Sequence, residues 1–116
     1  MRPAYPARST VERLVANVNF DAGSVSMIDT NTFRVVATIP VGQHPQDIVW
    51  APDGRFAYVV NNGSNNVSVI DATTNRVTAT LPVGPGASSI AVEPTGRTAY
   101  VTNLDGGTLS VLDLTG

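Results

Sequence analysis

The chain contains no cysteine, no lysine and a single histidine, and only 6% of it is aromatic. Each scarcity closes off a class of chemistry. Without cysteine there can be no disulfide, thiolate metal site or cysteine nucleophile, although the compartment stays open. Without lysine the seven cationic side chains are all arginine, and against nine acids they leave a net charge of −2. Sequence-independent binding of nucleic acid rests on a positive surface, so no nucleic-acid partner is expected. No apolar run approaches membrane-spanning length, and the opening "MRPAYPARSTVER" has no leader-like apolar core. The chain is therefore expected to be soluble, with no membrane span and no export signal. Helical periodicity, a phosphate-binding loop and a nucleophile elbow are also lacking. The 42% hydrophobic content still excludes a disordered chain.

What the sequence does have is a repeat. "VSMIDTNTFRVVATIPVG" starts at Val25 and "VSVIDATTNRVTATLPVG" at Val67, a step of 42 residues, and "LSVLD" at Leu109 keeps that step. "APDGRFAYVVN" from Ala51 and "EPTGRTAYVTN" from Glu93 share it, and "RLVANVN" from Arg13 aligns with "RFAYVVN". A period of this length without slippage is the mark of a repeat architecture.

Each unit parses into four short strands. Strand a is "DIVWA" or "SIAVE", followed by a turn carrying Gly54 or Gly96, where glycine supplies positive φ. Strand b is "FAYVVN" or "TAYVTN" and ends in asparagine before an Asn/Gly-rich loop of the hairpin kind. Strand c is "VSVID" and strand d "RVTATLPV". Strand a is apolar on both faces, which suits the deepest burial. Strand d alternates, with Val77, Ala79, Leu81 and Val83 on one face, as an outer strand does. Pro40 and Pro82 near its end suit an edge. The expected fold is all-β: propeller blades, each a four-stranded antiparallel meander.

"VSVIDATTNRVTATLPVG" and "PTGRTAYVTN" closely resemble the YVTN-family β-propeller repeat of the YncE-like proteins, over residues 13–116. The Gly-His and Trp-Asp signatures of WD40 propellers are absent. The resemblance implies a ring of about seven blades, roughly 290 residues at this repeat length. Here residues 1–12 lie outside the repeat, 13–46 form a partial blade, 47–88 a full blade and 89–116 a partial blade. "YPARSTVER" does not match strand a of the later units, so the first blade is expected to lack that strand. The chain thus reads as an incomplete arc of roughly two and a half blades, a piece of a larger propeller. Self-association through the exposed blade edges is the competing expectation.

In an a-b-c-d meander the b–c and d–a loops share one end, where propeller ligands tend to bind. There the repeat breaks at His44 and Asp47, whose counterparts one unit later are Gly86 and Ser89. An imidazole and a carboxylate can begin a metal site or an acid/base pair, so these two are the ligand-binding candidates. Two ligands fall short of the usual three for a catalytic metal, and loop capping explains them as well. No metal site, catalytic residue or cofactor is therefore assigned. Asn19, Asn61 and Asn103 recur in every unit and are read, with Gly54 and Gly96, as structural turn residues. At the other end Arg13, Arg34, Arg55, Arg76 and Arg97 recur beside Asp29, Asp53, Asp71 and Asp113, read as turn chemistry with Arg–Asp pairs.

The leading expectation is a non-catalytic binding or scaffold segment, whose partner is a protein or a small polar ligand. The resemblance implies an extracytoplasmic or cell-surface setting for full-length relatives. The alternative is part of a propeller enzyme, lactonase-like or a cofactor-dependent oxidoreductase, with its site at the channel mouth.

Overall fold

The computed structural model describes residues 14–115 together with the two-residue strand Ala7–Arg8. Arg13, Gly116 and the rest of the 1–12 segment lie outside the described residues. Among the described residues eleven strands succeed one another: β1 (Ala7–Arg8), β2 (Leu14–Asn19), β3 (Ser24–Asp29), β4 (Val35–Pro40), β5 (Pro45–Trp50), β6 (Phe56–Asn61), β7 (Asn66–Asp71), β8 (Arg76–Pro82), β9 (Ala87–Val92), β10 (Thr98–Asn103) and β11 (Thr108–Asp113). They form three antiparallel meanders, β1–β4, β5–β8 and β9–β11. The architecture is an all-β, incomplete arc of propeller blades.

The repeat in sequence is a repeat in register. Asn19 pairs with Ser24, Asn61 with Asn66 and Asn103 with Thr108 at equivalent hairpin ends. One expectation changes at the start of the chain. The first blade has a strand in the a position: β1 pairs with β2 through Ala7↔Ala16 and Arg8↔Val15. Main-chain ladders carry no side-chain signature, so two residues can complete a meander without resembling the strand they replace.

The core is divided between the blade junctions. Along β6, Ala57 and Val59 pack toward the first blade with Ala16, Val18, Met27, Ile39, Trp50 and Ile70. Tyr58 and Val60 point the other way and join Val67, Ala87, Ile90, Ala99, Val101 and Leu112. The two-residue period of a strand thus becomes two hydrophobic contacts, one per neighbour. Fully burying each Val or Ile contributes about 1.5–3 kcal/mol. β6 is buried along five of its six positions, more than the inner strand β5, and β8 is the exposed strand of its blade. Deepest burial therefore falls on strand b, which has a paired strand on each side, whereas β5 has an open inner edge.

The alternation expected of strand d is interrupted. A bulge lets Val69 oppose Ala79 while Ile70 opposes Val77. The extra residue reverses the facing of the strand beyond the bulge. Val77 therefore packs into the junction with the first blade, whereas Leu81 and Val83 pack into the junction with the third. The first blade has the same irregularity between Met27 and Ile28.

Candidate functional site

The b–c and d–a loops meet at one end, joined by backbone bonds such as Asn62 N–H to His44 O (3.0 Å) and Leu104 N–H to Gly86 O (2.9 Å). The recurrent asparagines sit beneath these loops. Asn61 is wholly buried; its Nδ2 donates to Asn66 Oδ1 and Ser68 Oγ, both at 2.9 Å, and its Oδ1 accepts the Gly42 N–H at 3.2 Å. Asn103 repeats the pattern on Thr108 Oγ1 (3.2 Å), Ser110 Oγ (2.9 Å) and Gly84 N–H (3.1 Å). Asn19 donates to Ser24 and Ser26 Oγ, each at 3.0 Å. Asn61 and Asn103 therefore do more than shape their own turn, since each ties strands b and c to the loop arriving from the previous blade. Such bonds contribute about 0.5–1.5 kcal/mol each, and an orphaned buried partner costs about 1–3 kcal/mol. The approach demands glycine, because a Cβ on Gly42 would lie 2.6 Å from Asn61 Cγ. Sequence reasoning missed Gly42 and Gly84 as partners, although "PVG" recurs at the 42-residue step.

His44 belongs to the d–a loop at φ 51°, and its ring stacks on Phe20 with centroids 4.7 Å apart and planes 14° from parallel. Its counterpart Gly86 also has positive φ, 73°. A second exchange accompanies the first: opposite His44 stands Gly63, whose counterpart opposite Gly86 is Asp105. A Cβ on Gly63 would lie 2.8 Å from His44 Nδ1, and one on Gly86 would lie 2.4 Å from Asp105 N. The large residue sits on the d–a loop in one blade and on the b–c loop in the next. The break in the repeat at His44 is half of a compensated exchange in size. A shallow cleft of about 460 Å³ beside His44 also takes in Asp21, Gln43 and Ser64.

Asp47 is 4% exposed. Its Oδ1 accepts the Ile48 N–H at 2.9 Å, and its Oδ2 accepts the Ile90 N–H of β9 at 3.1 Å. The carboxylate thereby bridges the inner strands of adjacent blades. Ser89, its counterpart, instead bonds within its own blade to Thr102 Oγ1 at 2.9 Å. The contacts of His44 and Asp47 thus run to different neighbours, one toward the first blade's loop and the other toward β9. Among the described residues no group of three or more His, Asp or Glu gathers to hold a metal ion.

At the opposite end, Gly54 and Gly96 adopt φ 76° and 75° in the a–b turns. Asp71 accepts from Thr73 N–H (2.9 Å) and Thr73 Oγ1 (2.6 Å) and pairs with Arg55 at 3.4 Å. The Thr73 bonds, with a smaller contribution from Arg55, hold its carboxyl below the usual range. Asp113 is lowered in the same way by Thr115. Asp29 accepts from Asn31 N–H at 2.7 Å. The acids therefore cap the c–d turns, and among the described residues Arg55–Asp71 is the Arg–Asp pair that closes to within 4 Å.

Solved structures similar to this chain include Kuenenia stuttgartiensis hydrazine synthase, 30% identical with a TM-score of 0.90 over 97% of this chain and 32% of that one. Dihydro-heme d1 dehydrogenase NirN in complex with DHE is 26% identical, with a TM-score of 0.79 over 94% of this chain and 24% of that one. A functionally unknown protein from Desulfotomaculum acetoxidans, 24% identical with a TM-score of 0.76 over 93% and 40%, shares the fold. The chain spans well under half of each of these chains. No curated protein sequence matches it. A sequence profile of the cytochrome D1 heme domain matches residues 9–115, nearly the whole length, and the chain belongs to that family.

Proposed function

We propose that this arc is one wall of a larger propeller enzyme of the tetrapyrrole-dependent oxidoreductase kind, with its b–c and d–a loops forming part of the channel mouth. The observation that carries this reading is the family match along residues 9–115, supported by the likeness to NirN. The arc itself does not fit as the whole cofactor cradle. A tetrapyrrole with acidic side chains needs an axial donor and cations for its carboxylates. The loop end offers one imidazole, His44, and two acids, Asp21 and Asp105, while Arg34, Arg55, Arg76 and Arg97 all lie at the turn end. Asp47 is engaged between blades. The cofactor contacts are therefore assigned to other blades, and no chemical step is derived for the residues of this arc.

A second reading, a non-catalytic scaffold of the YVTN (YncE-like) type, draws support from the "AYVVN" and "AYVTN" strands and from the structural engagement of Asp47. The two separate in one experiment. The complete propeller containing this arc is purified and titrated with haem while the Soret band is followed. Uptake by the complete propeller, unchanged in His44→Ala and absent from the 116-residue chain, is expected. No uptake by the complete propeller would return the scaffold reading to first place.

A further inference from the structure

Asn62-Gly63 is the one Asn-Gly pair in the sequence, and the units before and after it carry Phe20-Asp21 and Leu104-Asp105 instead. Asparagine before glycine is the pair most prone to lose its side-chain amide spontaneously, because no Cβ on the following residue shields the attacking nitrogen. The fold demands the glycine, since a Cβ there would lie 2.8 Å from His44 Nδ1. It also employs the asparagine. Asn62 Nδ2 donates to Ala87 O of β9 at 2.8 Å, a tie between the second and third blades, and its N–H donates to His44 O at 3.0 Å. The Gly63 N–H donates to Gln43 O at 2.9 Å. Asn62 is half-buried and Gly63 exposed, so water reaches the pair. A chemically labile dipeptide therefore stands where three chain segments meet, with both of its reacting groups held in hydrogen bonds.

We infer that Asn62 is a self-modification site, locked while the junction between the second and third blades is closed. When the loops part, the bonds to Ala87 O and Gln43 O are released. The Gly63 nitrogen then gives up its proton and attacks Asn62 Cγ. The N–Cγ bond forms, the Cγ–Nδ2 bond breaks, and ammonia leaves with a proton returned to it. Water adds to one carbonyl of the cyclic imide and opens it to an aspartate or an isoaspartate at position 62. The new carboxylate accepts hydrogen bonds but cannot donate one. It meets Ala87 O with no hydrogen to offer, so the tie to β9 is not remade and the junction stays looser. Chemistry on a transiently opened state tracks the population of that state. The modification therefore keeps a one-way record of how often this junction opens, and it does so whatever cofactor the whole protein binds.

The test incubates the 116-residue chain at mildly alkaline pH, in buffer and in denaturing urea. Products are separated by their added negative charge, placed by peptide mapping and assayed for isoaspartate by enzymatic methylation. In urea Asn62 should be the first asparagine converted, and in the native chain its conversion should be at least tenfold slower. Asp47→Asn removes the carboxylate that bridges to β9 without touching Asn62, and it should raise the native rate several-fold. The separated product should show quicker hydrogen exchange in Ala87–Ile90 than the unmodified chain, with β2–β4 unchanged. Equal rates in buffer and in urea would overturn the lock. So would conversion of another asparagine ahead of Asn62, or a product whose β9 exchanges as slowly as before. Quickened exchange of β9 in Asp47→Asn with no rise at Asn62 would equally refute it.

Discussion

At the scale of single residues, the loop end is governed by two pairs of opposed positions, His44 with Gly63 and Gly86 with Asp105. Each junction has room for one side chain between the loops, and each places it on the opposite strand connection. Gly63→Asp should therefore crowd His44 and lower stability by about 1–3 kcal/mol, the usual cost of overpacking. His44→Gly also relieves a non-glycine residue of positive φ. The double variant, which grafts the third blade's pair onto the second, should recover most of the loss. The urea midpoints of the four proteins provide the check, and additive losses would contradict the coupling. His44 stood out in the sequence because it departs from the repeat, but its partner Gly63 did not. A glycine in an Asn/Gly-rich loop looks ordinary until the opposing loop is placed against it.

At the scale of elements, the c–d turns carry a pH dependence. Asp71 and Asp113 have carboxyls held below the ordinary range, first by the hydroxyl of the threonine two residues on and then by its backbone amide. A depressed folded pKa means that the ionised form is favoured by folding. The stabilisation is complete above the unfolded value of about 3.9 and disappears as pH falls through the lower folded value. The urea midpoint should stay level from neutral pH to about 5 and then decline. In Asp71→Asn the acid decline should be shallower. A decline of unchanged depth would remove Asp71 from the account. Hairpin order and turn positions were legible here because the 42-residue step aligns every Asp and Gly with its counterpart. The facing of Val77 was not legible. A bulge changes the backbone count by one residue without changing which residue types come after it, so strict alternation misassigned it.

At the scale of the whole molecule, stability is the sum of blade interiors and blade junctions, as in repeat proteins generally. β6 contributes to both junctions, and the Asp47 carboxylate pins the second of them. Asp47→Asn puts a donor where an acceptor stood, leaving one buried amide without its partner at a cost of about 1–3 kcal/mol. Hydrogen exchange should quicken in β9–β11 and hold steady in β2–β4. Equal acceleration in all three blades would deny Asp47 its place at the junction. Its role was beyond the reach of the sequence, because the amide it meets is 43 residues away and in another blade.

The Gly42–Asn61 and Gly84–Asn103 joints carry a different consequence. Because the two are interchangeable, excising residues 43–84 would bring Gly42 against Asn103 and keep Gly86 opposite Asp105, rebuilding the same contacts. Unequal recombination between the two repeats at that point can therefore add or drop a blade in a single event without leaving a misfit at the seam, so that in this chain a blade is a unit of 42 codons.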